Sequence, residues 1–397
     1  MQQLTNQERL RPWMGFILAA VSIAALLFAG SAMQHAWGLW GLAATEIMML
    51  ALAVGYCLIF RVKLKEVFPV RRITGREFGG VMLLLAGGYG LSMVAVGLSM
   101  TILPSSMQEI EGLNDFLYSG NNLLLLIPIA TILPAICEEA IMRGAILSSF
   151  RSWKKGWLIV LVVGIIFGIF HLSPLRFLNT ACLGMILAFL MVKRNNILLP
   201  MLLHFLNNLI AVGVGALSSF LTSAVDTSAA LASAQPVQLL GTYLIAGCSF
   251  PMLLTLGAML ISPETHKKKR FLFAGIVSGA LLLAGISLTV FSMVKPKPIC
   301  DSQIGPITIS QSGEQTECEF NVTESKPYTV SIAMRSEGGT YTVILRDESG
   351  TDLLKETAGM PFSVARKMNL ETGHYYLILD YGEDTLGQTL NIRFTVQ

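Results

Sequence analysis

Charge is scarce in this sequence of 397 residues, because only 13% of them are Asp, Glu, Lys or Arg whereas 53% are hydrophobic. Soluble proteins normally carry about 25% charged residues. The deficit, with a mean hydropathy of +0.63, excludes an ordinary soluble protein and predicts a polytopic α-helical membrane protein. The expected partner is therefore membrane lipid, and no nucleic acid.

Metal-binding cysteine motifs are also missing, since no CxxC and no Cys/His metal spacing occurs. Four of the six cysteines lie in apolar runs and are predicted to be small buried hydrophobes: Cys57, Cys137, Cys182 and Cys248. Cys300 and Cys318 lie in the C-terminal tail, where a disulfide is possible if the compartment is oxidising.

The balance of basic and acidic residues divides the chain into two parts. Residues 1–294 hold 19 Lys and Arg against 11 acidic residues, whereas residues 295–397 hold 9 against 14 and have no long apolar run. A membrane body followed by a soluble module is the simplest interpretation. Alternating segments such as Tyr328–Ile332 and Tyr341–Leu345, separated by glycine-containing turns, predict that this module is an antiparallel β-sandwich.

Apolar runs predict eight to nine membrane spans, the shortest being the fifth and sixth, which Ser173-Pro174 interrupts. The nine runs lie at about residues 13–32, 38–60, 80–103, 122–150, 157–172, 177–192, 197–218, 237–262 and 271–293. Alternate loops are rich in Lys and Arg, which is typical of the cytoplasmic side; Arg176 is the one basic exception on the other side. The pattern predicts a multi-pass protein of the cell membrane with a cytoplasmic N-terminus and an extracytoplasmic C-terminal domain.

Three charges interrupt the fourth run: Glu138, Glu139 and Arg143. An ionisable group at the centre of a membrane helix costs roughly 2.5 kcal/mol or more, and such groups are usually functional. Glu139 and Arg143 are four residues apart and share a helix face, so we expect them to pair. Glu138 points about 100° away and is left for chemistry; the alternative is that all three only tie helices together. Glu46, in the second run, is interpreted as a snorkelling or helix-bridging acid.

Two further polar motifs interrupt apolar runs downstream. Phe167 and His171 share one helix face, as do His204 and Asn208. Only five histidines occur in the chain, so two of them on predicted membrane helices indicate a common site. Helix depths are compatible with a site in the cytoplasmic half or near the middle of the membrane.

The three motifs in this order resemble those of the CAAX protease and bacteriocin-processing (CPBP) family of intramembrane proteases, which includes the Ras-converting CAAX endopeptidase. The resemblance covers about residues 120–218. Together with the apolar runs and the charge asymmetry, it divides the chain into four regions: N-terminal membrane helices at 1–110, a protease core at 111–220, C-terminal membrane helices at 221–294 and the β-domain at 295–397.

The resemblance implies an endopeptidase that hydrolyses peptide bonds of membrane-associated, prenylated or hydrophobic substrates. By transfer, Glu138 and His171 hold and deprotonate a water, and His204 and Asn208 form an oxyanion hole. Glu139, Arg143 and Phe167 support the site. The family has also been described as metal-dependent, in which case zinc would be bound by Glu138, His171 and His204; we favour no metal and no cofactor, because the HExxH spacing is absent.

Two other classes of function stay open from the sequence. A non-catalytic immunity or scaffold protein would use the polar cluster for structure alone, although every position of the resemblance is filled. A proton-coupled carrier would relay protons through the glutamates and histidines, although the two halves of the membrane body show no repeat of interrupted helices.

Overall fold

A computed structural model describes residues 9–103, 116–118, 123–222, 236–262, 267–294 and 299–397. The chain divides into two compact units, Met1–Met293 and Val294–Gln397. The predicted outer loops near residues 104–115 and 223–235, with the domain boundary predicted at residue 110, lie outside the described residues.

Eight helices among the described residues are long and apolar enough to cross a membrane: α1 (Pro12–Trp37), α2 (Leu39–Ile59), α3 (Gly75–Ile102), α4 (Leu124–Ser149), α6 (Pro174–Arg194), α7 (Leu198–Leu217), α8 (Val237–Ile261) and α9 (Lys268–Val294). Between α4 and α6 lies α5 (Gly156–Phe170), an apolar helix of 15 residues. At 1.5 Å per residue α5 is about 22 Å long, which is short of a hydrocarbon core of about 30 Å. The prediction of a multi-pass membrane protein is confirmed.

Two helices begin earlier than their hydropathy predicts, because polar caps start them. The Thr74 hydroxyl accepts from the Glu77 backbone N–H at 3.3 Å, and Glu77 Oε2 accepts from the Thr74 N–H at 2.9 Å, which is a capping box that starts α3. The Ser173 hydroxyl accepts from the Arg176 N–H at 3.0 Å. Pro174 therefore occupies the first turn of α6, where proline is favoured, and the sixth span is a full helix.

Helix α4 lies at the centre of the membrane unit. More than half of its apolar stretch is buried, the largest share among the eight span-length helices of the described chain. Ile141, Met142 and Ile146 are fully buried in the main hydrophobic cluster. Segment Ala140–Ile146 has π-helical geometry, which is rare and is found frequently at functional sites.

Helices α5 and α6 pack with their backbones in close approach. A Cβ added at Gly184 would lie 2.8 Å from Phe167 Cβ, and one at Gly168 would lie 2.9 Å from the Phe177 carbonyl oxygen. Small residues permit this kind of close helix contact in membranes. The approach brings the Gly184 carbonyl toward α4.

The described residues 299–397 of the C-terminal unit form eight strands: β1 (Cys300–Thr308), β2 (Gly313–Val322), β3 (Lys326–Arg335), β4 (Thr340–Asp347), β5 (Asp352–Gly359), β6 (Phe362–Leu370), β7 (Gly373–Tyr381) and β8 (Thr389–Val396). They form two four-stranded sheets, in the orders β1-β8-β3-β6 and β2-β7-β4-β5. Every pairing is antiparallel, as the alternation of the sequence predicts.

Side chains from both sheets enter one hydrophobic cluster. Phe320 of β2 contacts Phe394 of β8, with ring centroids 5.5 Å apart, and stacks on Tyr375 of β7 at 5.4 Å. Along β3, alternate residues are buried, from Tyr328 to Met334, so the period of two in the sequence matches one apolar face.

Cys300 on β1 and Cys318 on β2 approach one another, although their strands belong to different sheets. Their Sγ atoms lie 3.6 Å apart, and Ser302 Oγ lies 3.2 Å from the Cys318 sulfur. A disulfide requires about 2.05 Å, so a small side-chain movement suffices to form the bond.

We therefore expect diamide, a two-electron oxidant, to convert this thiol pair to a disulfide in the purified full-length protein. The two thiols lose two protons and two electrons to the oxidant, and peptide mass spectrometry detects the linked pair. The variant Cys300→Ser is the control. Linkage of Cys318 to a cysteine other than Cys300 would contradict the expectation, as would alkylation of both Cys300 and Cys318 after oxidation.

Candidate active site

The predicted site residues lie on three helices, and Glu46 adds a fourth. Helix α4 carries Glu138, Glu139 and Arg143, whereas α5 and the residue after it carry the aromatic Phe167 and His171. The remaining polar members are His204 and Asn208 on α7 and Glu46 on α2.

Glu139 contacts both Arg143 and His204 and so connects the polar side chains of this cluster. Its Oε1 accepts a hydrogen bond from Arg143 Nη1 at 2.9 Å and lies 2.8 Å from His204 Nδ1. The side chains of Glu139 and Arg143 are both 0% exposed. Arg143 Nη2 also donates to the Gly184 carbonyl at 3.0 Å, so one buried ion pair joins α4, α6 and α7. The predicted pairing of Glu139 with Arg143 is present in this geometry.

Phe167 forms the wall against which the polar groups pack. The Arg143 guanidinium lies 4.3 Å from the ring centroid, within the range of a cation–π contact. The rings of His171 and His204 meet Phe167 edge to face, at centroid distances of 4.8 and 5.8 Å. Both histidines therefore lie around one fully buried ring.

His204 lies between the two glutamates. Because an ionised carboxylate only accepts hydrogen bonds, the contact with Glu139 places a proton on His204 Nδ1. Nε2 then faces Glu138, whose Oε2 is 4.0 Å away. Among the described residues, Glu138 Oε2 has no hydrogen-bond partner. Glu139 Oε2 also has no partner among these residues, but Glu139 is held through Oε1, which accepts from Arg143. Glu138 has no such bond and is therefore the glutamate that is open to a further ligand.

His171 follows the last turn of α5. Its Nδ1 donates to the Phe167 carbonyl oxygen at 2.9 Å, since a carbonyl only accepts. In the neutral ring, Nε2 then carries the lone pair. That nitrogen is the one available to accept a proton or a hydrogen bond from a ligand.

Asn208 lies one helical turn beyond His204 on α7. Its Oδ1 accepts from Asn207 Nδ2 at 3.2 Å, and the Asn207 carbonyl accepts from the Tyr89 hydroxyl at 2.8 Å. These contacts leave the Asn208 Nδ2 group as the donor for a ligand. The structure places Asn208 on the His204 helix and records no direct contact with Glu138 in the described part of the chain.

Two charged residues reach this cluster although the motifs do not include them. Arg176, the basic exception among the predicted outer residues, lies within electrostatic range of Glu138 and His171. Glu46 is buried rather than snorkelling, which corrects that part of its interpretation, and it lies within electrostatic range of Glu138. The signal for Arg176 was its violation of the loop-charge pattern, and the signal for Glu46 was its cost in an apolar helix.

The zinc alternative would use Glu138, His171 and His204 as ligands. Zinc ligands of the His and carboxylate type lie about 2.0–2.2 Å from the metal. No group of three or more His, Cys, Asp and Glu side chains in the ranges that the structure describes is arranged to hold a metal ion.

Fold and cluster together define a multi-pass membrane protein with a buried polar site between its helices. Residues 120–210 match the family model described as type II CAAX prenyl endopeptidase Rce1-like. The match confirms, over this segment, the resemblance to the CAAX protease and bacteriocin-processing family that the motifs predict. The match supports CAAX-type intramembrane protease activity, and hence a hydrolase, in general terms.

Other comparisons add little. No curated protein matches the chain. Among solved structures, an arabinose-bound α-L-arabinofuranosidase, MgGH51, is similar at 18% identity over 26% of this chain and 20% of that chain, with a TM-score of 0.17. A similarity at that score is too low to inform the fold.

The close approach of α5 and α6 gives a test of the site's framework. We expect Gly184→Ala to destabilise the protein by about 1–3 kcal/mol, because the added methyl group overpacks against Phe167. The measurement is the thermal unfolding midpoint in detergent. Gly213→Ala on α7 is the control, since a methyl group added there would have nothing within 4 Å. Equal midpoints for both variants would contradict the packing described here.

Proposed function

We propose that the protein is an intramembrane endopeptidase that hydrolyses peptide bonds of membrane-associated, prenylated or hydrophobic peptides. One observation carries the proposal: His204 is held by Glu139 at 2.8 Å so that its other nitrogen faces Glu138 at 4.0 Å. This unit lies inside the segment that matches the CAAX endopeptidase family.

Water activation falls to Glu138 and His171. The Glu138 carboxylate takes a proton from a bound water while the lone pair at His171 Nε2 holds the water in place. The water oxygen then attacks the substrate carbonyl carbon, and a C–O bond forms as the carbonyl π electrons move to oxygen. Glu138 passes its proton to the leaving nitrogen when the C–N bond breaks, so the carboxylate is regenerated.

Two side chains of α7 stabilise the oxyanion that develops on the substrate carbonyl oxygen. Asn208 donates from Nδ2, and His204 donates from Nε2 when both of its ring nitrogens carry protons. Preorganised side-chain donors of this kind stabilise charge that develops only in the transition state. Glu139, Arg143 and Phe167 hold His204 in orientation and do not touch the substrate. Neither a metal nor a cofactor takes part in these steps.

The proposed setting is the cell membrane, with a cytoplasmic N-terminus and an extracytoplasmic C-terminal unit. Basic loops such as residues 61–76 and 151–155 support this orientation. The shared cluster of the two four-stranded sheets supports a β-sandwich in the outer unit. Membrane lipid and a membrane-anchored substrate are the proposed partners.

Replacement of the proposed base tests the mechanism. We expect Glu138→Gln to lower kcat by about 100-fold or more, since loss of a general base costs about 10²–10⁴-fold. The assay is cleavage of a prenylated or hydrophobic peptide by the full-length protein in detergent.

A paired acid provides the matched control for that assay. Glu77 on α3 accepts from Arg194 Nε at 2.6 Å, so Glu77→Gln should lower stability and leave kcat unchanged. Cleavage by Glu138→Gln at the wild-type rate would refute the water-activation mechanism. Loss of wild-type activity on treatment with a chelator would favour the zinc alternative instead.

The orientation has its own test in intact cells. A membrane-impermeant maleimide should label Lys355→Cys on exposed β5 and should not label Lys65→Cys in the loop between α2 and α3. The parent protein controls for native cysteines, and permeabilised cells show that both positions can react. The reverse labelling pattern would place the C-terminal unit in the cytoplasm.

A further inference from the structure

Glu46 is a buried acid that the motifs do not use. It lies on α2, outside the segment that matches the family model, and its side chain is 5% exposed. Its Oε2 has no hydrogen-bond partner in the part of the chain that the structure describes. Burial of an unpartnered carboxyl in a membrane helix is costly. A functional or structural role of Glu46 must therefore offset that cost.

Glu77 on α3 is a buried acid whose contacts show a structural role. Glu77 is as buried as Glu46, but it receives hydrogen bonds from Arg194 and from the Thr74 backbone. Those contacts cap and tie helices, which is what a structural acid in this protein does. Glu46 Oε2 makes no such contact among the described residues, so a structural role does not account for it.

The neighbours of Glu46 lie on α4. The two helices pack against each other along the segment that contains Glu138. Glu46 is within electrostatic range of both Cys137 and Glu138. Glu138 Oε2 is likewise buried and without a partner in the described ranges. Two partnerless carboxyl oxygens from neighbouring helices thus occupy one region.

We propose that Glu46 is a positioning residue of the candidate active site, which acts through Glu138. The Oε2 atoms of the two carboxyls share one hydrogen-bond donor, a bound water molecule, and this bridge fixes the orientation of the Glu138 carboxylate. The bridge satisfies both acceptors at once, which neither acid achieves with the described protein groups. This inference rests on the proposed function, in which Glu138 is the base.

The bridge predicts opposite effects on activity and stability. Because Glu46 Oε2 has no hydrogen-bond partner among the described protein groups, an apolar side chain of similar size at this position leaves no protein donor unpaired, and we expect stability to be unchanged or raised. Loss of a group that orients a catalytic residue typically costs about 10–100-fold in activity. A residue that only supports the fold cannot give both results.

The test compares Glu46→Leu and Glu46→Gln with wild type in the full-length protein in detergent. We expect Glu46→Leu to lower kcat by about 10–100-fold, with KM within about twofold of wild type and an unfolding midpoint that is unchanged or raised. Glu46→Gln should lie between the two in kcat, since its carbonyl oxygen still accepts from the bridging water. Glu77→Gln is the control and should show the reverse pattern, a lower midpoint with unchanged kcat.

The outcomes separate the inference from the proposed function. Wild-type kcat in Glu46→Leu, while Glu138→Gln is inactive, overturns the role of Glu46 and leaves the proposed function standing. A loss of kcat that is matched by a lowered midpoint in both Glu46 variants also overturns it, because that is the signature of a structural acid. Full activity in Glu138→Gln overturns the proposed function itself.

Discussion

The site depends on one carboxylate oxygen, Glu139 Oε1, which Arg143 and His204 share inside the membrane unit. Burial of charges there is costly unless they are paired, and removal of one partner from a buried pair costs about 3–5 kcal/mol. Arg143 extends the pair to the Gly184 carbonyl and the Phe167 ring. The orientation of His204, and hence the approach of its Nε2 to Glu138, follows from this arrangement.

Local contacts of the site could be predicted from the sequence, whereas contacts across helices could not. The Glu139–Arg143 pair follows from a spacing of four residues, which survives even though Ala140–Ile146 is π-helical. The partner of His204 was not predictable, because it depends on how far α7 is rotated and tilted against α4. The Gly184 carbonyl carries no side-chain signal at all, and only a glycine inside an apolar helix marks the position.

The fold divides in the same way. Hydropathy predicts the spans and period-two alternation predicts strands such as β3, because both patterns report burial directly. Helix starts were displaced where a polar residue caps the helix: Ser173-Pro174 looks like an interruption by hydropathy but begins α6. Sheet order, and the approach of Cys300 to Cys318 from different sheets, depend on pairings between distant segments that periodicity does not encode.

The buried acids of the membrane unit differ in what they contact, and this difference separates structural acids from those that are open to a ligand. Glu77 and Glu139 each receive a hydrogen bond from an arginine, and both join helices. The Oε2 atoms of Glu46, Glu138 and Glu139 have no partner among the described residues, although they are costly to bury. Of these three acids, Glu139 alone is held by an arginine through its other oxygen. An acid that is paired stabilises the framework, and one that is not is available to a ligand. Because Glu46 comes from α2, the proposed role of Glu46 extends the site to a helix outside the segment that carries the family motifs.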